Sequence, residues 1–297
     1  ARARAPACSA TNAIIAIATG SWCRIASSGK RASKLATSGS ATLSRLHSQS
    51  DECLILVKAL PHRSSSYFET VCCAGVGRDL RWRRLYPVPF RVLNDAQKFG
   101  RWNWIKYQFT SPKDDTRRES QKVVPESIDV LGKLKASERS RIGAGLCRES
   151  VEEAEAKGET LTLIRPSRVA LSWRRKNADE IERERAKHAA LANQLSLLDE
   201  PTKPLEPCPF AFSFDWVDPN GRPHTHSCDD WETSTAFFRR RAASDETSAL
   251  ASLQETYEHD FPKRGMAFAL GTHSRRKSQW LLVGVLRVDD TLQTELF

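Results

Sequence analysis

Residues 53–60 read CLILVKAL and are closed by Pro61. The run is apolar apart from one lysine, is too short for a stable helix, and predicts a buried strand. Working outward, a polar loop at 62–66 (HRSSS) leads to 67–76 (YFETVCCAGV), a second strand with Gly75 and Gly77 marking its turn. Residues 81–86 (RWRRLY) alternate bulky and basic side chains, as a strand with one wet face does, and Pro87 and Pro89 predict the end of its ladder. A further alternating run, 104–109 (WIKYQF), stops at Ser111-Pro112, and 123–124 and 128–131 are weaker strand candidates. Short strands with turn signals every 8–12 residues or so predict a small barrel or sandwich.

The middle of the chain changes period. Residues 137–157 carry acids and small residues at helical spacing, with Gly143 and Gly145 expected to break the helix in two. Residues 159–173 return to strand character around Pro166. Residues 177–198 predict the clearest helix, capped by Asn177 or Asp179, with i,i+3 pairs Glu180–Arg183, Glu182–Arg185 and Glu184–Lys187 on its surface. Its thin apolar stripe marks an exposed connector, followed by a stiff linker at Pro201, Pro204, Pro207 and Pro209. The last third opens on a period-2 strand at 210–217 (FAFSFDWV). The turn Asp218-Pro219-Asn220-Gly221 then folds 224–228 back as a hairpin. Asp229 or Asp230 caps a helix through Arg241, a second helix spans 245–259, and strands at 266–271 and 280–288 close the module.

The expected fold class is therefore α+β: two small antiparallel barrel-like modules, at 52–175 and 207–297, joined by a helix and Pro-rich linker at 176–206. A disordered tail at 1–51 precedes them. The 297 residues suit two modest domains, and no apolar run approaches the ~20 residues of a membrane-spanning helix. The formal charge of +10 belongs mostly to the tail. Residues 1–50 hold seven cations and no acid, which leaves 39 cations against 36 acids for the rest. A basic pI is thus no argument for nucleic-acid binding by the whole chain. The tail reads as sequence translated upstream of the native start, or an assembly artefact, with an Arg- and Ser-rich targeting peptide as the alternative. Six of the eight cysteines follow residue 50 and none forms C-x-x-C, a usage expected of free thiols in the cytoplasm.

The run 69–76 (ETVCCAGV), followed by 82–88 (WRRLYPV), resembles a bacterial pattern in which a strand "C-A-G-apolar" leads through a turn to "W-x-R" and a proline. That pattern is associated with the dual OB-containing domain proteins of prokaryotic conflict loci, and 265–271 with 280–287 are similar to the last strands of such a module. The resemblance implies OB-like barrels and a role in sensing or binding nucleic acid, as a defence or DNA-processing factor.

The residues add their own case. Between Arg78 and Lys122 twelve cations face five acids, with aromatic rings interleaved. Cations that follow phosphates and rings on which bases stack are the two parts of a single-strand groove. The candidate groove residues are Arg81, Trp82, Arg83, Arg84, Tyr86, Arg91, Arg101, Trp102, Trp104 and Lys106; the alternative is that the tryptophans fill the core and the arginines solvate its rim. A second constellation, His224, His226 and Cys228 on one strand face with Cys208 upstream, offers zinc-type ligands but lacks a C-x₂₋₄-C knuckle. Asp229, Asp230 and Glu232 could serve a metal-dependent nuclease, although helix capping accounts for them more simply. Gly-rich phosphate loops, G-x-S-x-G and H-E-x-x-H are all absent. Catalysis is thus the weaker class, and no cofactor is implied. Finally, 194–198 (QLSLL) and 293–297 (QTELF) resemble the bacterial peptide that docks on the replication sliding clamp, with Gln293, Leu296 and Phe297 as anchors. The leading expectation is a cytoplasmic protein that binds single-stranded nucleic acid.

Overall fold

The computed structural model describes residues 48–60, 71–90, 93–113, 115–195, 205–273 and 276–289. Five strands form a closed barrel in the order β1-β2-β3-β5-β4: β1 Gln49–Lys58, β2 Val71–Val76, β3 Trp82–Val88, β4 Asn103–Thr110 and β5 Ser120–Lys133. All neighbours are antiparallel except β3 and β5, which run parallel. Two expectations change here. β3 continues through Pro87 to Val88, because the ladder with β2 shifts register between Val71 and Cys73 and places the proline at that irregularity. The two weak candidates at 123–131 are parts of one long strand, bent where β4 and β5 slip register. Residues 49–51, assigned to the tail, already belong to β1; residues 1–47 lie outside the described residues.

The remaining strands make two sheets. A four-stranded sheet has the order β12-β11-β7-β6, from Trp280–Arg287, Met266–Thr272, Leu161–Ile164 and Cys147–Arg148. A three-stranded sheet has the order β10-β9-β8, from Pro223–Ser227, Phe210–Val217 and Arg168–Arg175. The helices are α1 Arg139–Leu146, α2 Val151–Ala156, α3 Ala178–Leu195, α4 Trp231–Ala243 and α5 Glu246–Glu255. After α5 the chain continues through a π-helical turn, Thr256–Asp260. Among the described residues there is one closed barrel, and the expected second barrel-like module is instead these two open sheets. β7 and β8, expected in the first module, pair with β11 and β9 of the second, so the expected division at residue 175 runs through both sheets.

Side-chain parity shows how the layers stack. In β1 and β2, Cys53, Ile55, Val71 and Cys73 fill the barrel, while Leu54, Leu56, Ala74 and Val76 point outward. That outer face is dry, packed against Leu161, Leu163, Ala267, Ala269 and Leu286 of the four-stranded sheet. The alternate residues of β11, Met266, Phe268 and Leu270, enter a third core with Phe210, Phe212, Phe214, Phe237 and Leu253. β11 is thus buried on both faces, which accounts for its unbroken apolar run. Small residues let the barrel and sheet approach closely: a Cβ on Gly284 would lie 3.1 Å from Val57 Cγ2. α3 begins as expected, with Asn177 Oδ1 accepting from the Glu180 N–H at 2.8 Å. Of the three surface pairs expected on it, Glu182–Arg185 forms at 2.7 Å and Glu180 instead binds Arg174 on the preceding segment; Glu184 meets Lys176, and the Lys187 side chain of the third expected pair lies outside the described residues. No helix among the described residues is long and apolar enough to cross a membrane.

Candidate nucleic-acid interface

Nine of the ten groove candidates lie among the described residues, and they do not share one face. Arg83 lies in a half-buried ion-pair network, donating to Asp51 at 2.7 Å and Asp79 at 3.2 Å. Burial opposes ionisation of Asp51, but the hydrogen bonds from Arg83 and Gln121 outweigh it and hold its carboxyl below the usual range. Arg78 stacks its guanidinium 3.7 Å from the half-buried Trp104 ring and pairs with Glu52 at 2.8 Å. Trp82 is half-buried against the same core as Trp104. This corner of the barrel therefore carries acids matched to its cations and leaves only partial ring surfaces.

Arg84 is placed differently. It bridges the barrel to the four-stranded sheet, donating to the Thr160 carbonyl at 3.1 Å and Glu119 at 3.4 Å. Arg117 does the same through the Thr272 carbonyl at 2.9 Å, chelated by Asp115. Burial raises the Asp115 carboxyl, yet the Arg117 and Ser120 bonds bring it down to about 2. These arginines fasten the seam where an open groove between Arg78 and Lys122 was expected. Tyr86 is half-buried on the same strand, and Arg81 and Lys106 are exposed. Arg91 lies outside the described residues.

Arg101 and Trp102 point elsewhere. Trp102 is 5% exposed, with a left-handed backbone (φ 69°) fixed by its N–H on the Ile55 carbonyl at 2.7 Å. Arg101 reaches across to the second half. It donates two bonds to Asp230, at 2.8 and 2.9 Å, and one to the Val285 carbonyl. Asp230 is 1% exposed and also accepts from the Val285 N–H at 3.0 Å and the Glu232 N–H at 3.1 Å, the latter capping α4. Burial alone would weaken the Arg101 cation; the Asp230 charge reverses this and raises it above its ordinary value.

Arg101 also lines a cleft of about 570 Å³ between the barrel and the C-terminal half. Six cations line it from six different segments: Lys58 at the end of β1, Arg101, Lys133 at the end of β5, Arg139 opening α1, Arg239 in α4 and Arg287 closing β12. Three carboxylates pair with four of them. Lys58 meets Glu232 at 2.8 Å, Arg101 meets Asp230, and Asp289 serves both Arg139 and Arg287, the latter at 2.6 Å. Burial raises Glu232, but Lys58 and Arg101 outweigh it and keep the carboxylate ionised. Lys133 and Arg239 are exposed and have no ion pair among the described residues. Nε of Arg101 and of Arg139 is buried without an acceptor. The walls add Phe90, Phe99 and Phe261. Phe90 meets Phe99 edge-on at 5.1 Å and has the Lys58 ammonium 4.8 Å above its ring.

Of these cations only Arg101 was a candidate in the sequence. Lys58 carried a signal, as the lone charge in CLILVKAL, and so did the Arg239-Arg240-Arg241 run; neither could reveal that they face one space.

The zinc-type constellation is not assembled. Cys208 sits in the aromatic core. His224 stacks on Trp216 at 4.4 Å and bonds Asp218 at 2.9 Å. His226 Nδ1 accepts from the Trp216 indole N–H at 3.1 Å. Cys228 donates to Thr233, its thiol pushed up to about 12 by burial. Among the described residues no group of three or more His, Cys, Asp or Glu is placed to hold a metal ion. Asp230 and Glu232, weighed as nuclease carboxylates, are engaged by Arg101 and Lys58. Gln293, Leu296 and Phe297, and the side chains of 194–198, lie outside the described residues.

Barrel, shared apolar seam and two-sheet C-terminal half define a single α+β unit whose cationic cleft lies where the two parts meet. Residues 144–297 match the family model described as a domain of unknown function, DUF8757, and residues 49–145 match a second domain of unknown function, DUF8758. The chain belongs to the DUF8757 family. No curated protein matches it.

Proposed function

We propose that this protein binds single-stranded nucleic acid, and that the contact is made at the cationic cleft rather than along the strand face spanning residues 78–122. The strand order and the parallel β3–β5 contact are those of an OB-like barrel, an architecture used for oligonucleotides and in keeping with the resemblance to the dual OB-containing proteins. The outer face of β1 and β2, with Trp82 and Arg84 of β3, is occupied by the chain's own second sheet, so a ligand on the barrel has to bind elsewhere. One observation carries the reading: six cations gather at one cleft against three carboxylates, two of them exposed and without an ion pair among the described residues, beside aromatic walls. Phosphates supply the missing negative charge and the rings offer surfaces for bases.

The test reverses Lys133 and Arg239 together (Lys133→Glu, Arg239→Glu), positions whose exposure spares the fold. Fluorescence anisotropy with a labelled single strand is followed over rising salt. Each lost phosphate contact lowers the slope of log K against log salt by ~0.7, so the double variant is expected to lose ~1.4 from the slope and at least about tenfold in low-salt affinity. Unchanged slope and affinity would overturn the proposal.

A further inference from the structure

Resting on that reading, we infer that the cleft receives a nucleotide phosphomonoester, the phosphorylated end of a strand, rather than a stretch of internal backbone. The first argument is size. A volume of about 570 Å³ falls in the range of small-molecule pockets, ~300–1,000 Å³, whereas an OB-type track engages ~4–16 nucleotides. This cleft suits a terminal unit.

The second argument is charge. An internal diester carries one negative charge, but a monoester carries about −1.5 to −2 at neutral pH and offers three acceptor oxygens. The cleft has an excess of three cations, and four of its six are arginines, whose planar forks match phosphate oxygens in pairs. Arg139 and Arg287 already divide one carboxylate, Asp289, between them, so their pair retains one positive charge. Arg239, which feels Glu232 only at longer range, and Lys133 add two more with no direct ion pair among the described residues. A dianion with three oxygens neutralises such a set better than a monoanion. The third argument is the aromatic lining: Phe90 and Phe261 are both half-buried and line the same cleft, a place for the base that bears the phosphate.

The experiment compares one short oligothymidylate with a 5′-phosphate, with a 3′-phosphate and with hydroxyls at both ends, plus thymidine 5′-monophosphate as a competitor. It uses the full chain and its Arg239→Gln and Arg287→Gln variants, with thermal melting to confirm that each variant folds. The expected result is about tenfold tighter binding when one end is phosphorylated, a gain that disappears in both variants, and competition by the mononucleotide. Equal affinity for all three oligonucleotides, with binding still weakened by reversal of Lys133 and Arg239, overturns this inference and leaves nucleic-acid binding standing. Capture of the mononucleotide with no affinity for any oligonucleotide supports the phosphomonoester site and overturns the strand-binding reading. Binding of neither overturns both.

Discussion

Asp230→Asn removes one charge from a site that is 1% exposed and leaves the side chain almost the same shape. The Glu232 N–H is held by one carboxylate oxygen and the Val285 N–H by the other, so an amide, with one acceptor oxygen, loses one of these two bonds together with the counter-charge of Arg101. Breaking a buried pair from one side costs ~3–5 kcal/mol, because the remaining charge is uncompensated. Arg101 keeps about an eighth of its side-chain exposure (13%) and its bond to the Val285 carbonyl, which places the expected loss at the lower end, about 3 kcal/mol. Asp230→Ala also removes the α4 cap, worth about 1 kcal/mol, and leaves the Val285 N–H without its acceptor. With total stabilities of ~5–15 kcal/mol, that variant stands close to unfolding, and the Asn variant carries the test. The assay is urea unfolding of the full chain, with Arg101→Met and the double variant completing a cycle. Once Arg101 is gone, Asp230→Asn should cost only the displaced N–H bond, about 1 kcal/mol, giving a coupling of about 2–3 kcal/mol. A loss under about 1 kcal/mol for Asp230→Asn, or strictly additive single effects, would refute the argument.

Two further outcomes follow from packing and from charge. A Cβ on Gly75 would stand 1.9 Å from the Leu54 carbonyl oxygen and 2.8 Å from Cys53 Sγ, so Gly75→Ala should cost about 3 kcal/mol or more by forcing β1 and β2 apart; a urea midpoint equal to that of the parent protein would contradict the close approach. Asp115, Asp51 and Glu232 all ionise below their ordinary values in the folded protein, so the unfolded chain takes up protons first as pH falls. Their contribution is full above about pH 4–5 and is lost on the way down to about pH 2, so the urea midpoint should drop across that window. A midpoint that stays level from pH 5 to about pH 2.5 would show that these carboxylates do not stabilise the fold.

The elements were largely legible because local signals write them. The 210–217 strand, the Asp218–Gly221 turn, the Asp230 cap and the break at Pro166 all stand where periodicity, turn chemistry and capping place them. What the sequence did not disclose is which faces meet. RWRRLY alternates as a half-wet strand does, yet its partner surfaces are claimed by a sheet formed some eighty to two hundred residues later. Besides Asp79 near Arg83, the arginines read as a phosphate track find acids that local spacing does not pair with them: Asp51 for Arg83, Glu119 for Arg84 and Asp230 for Arg101. Local excess charge between 78 and 122 was real but says nothing about carboxylates delivered by tertiary structure. The cleft was hidden for the converse reason, since its cations come singly from six elements and make no cluster in one dimension.

The dry seam between barrel and four-stranded sheet bears on how such a protein can be divided. The two family matches meet at residues 144–145, but Leu54, Leu56, Ala74 and Val76 on one side of that junction share a core with Leu161, Leu163, Ala267 and Leu286 on the other. Cutting there would bare two greasy walls that fit each other, and each fragment would become a client for the other or for its own kind. A polypeptide carrying the 49–145 segment by itself would have to cover that wall with a second copy or with a separate chain.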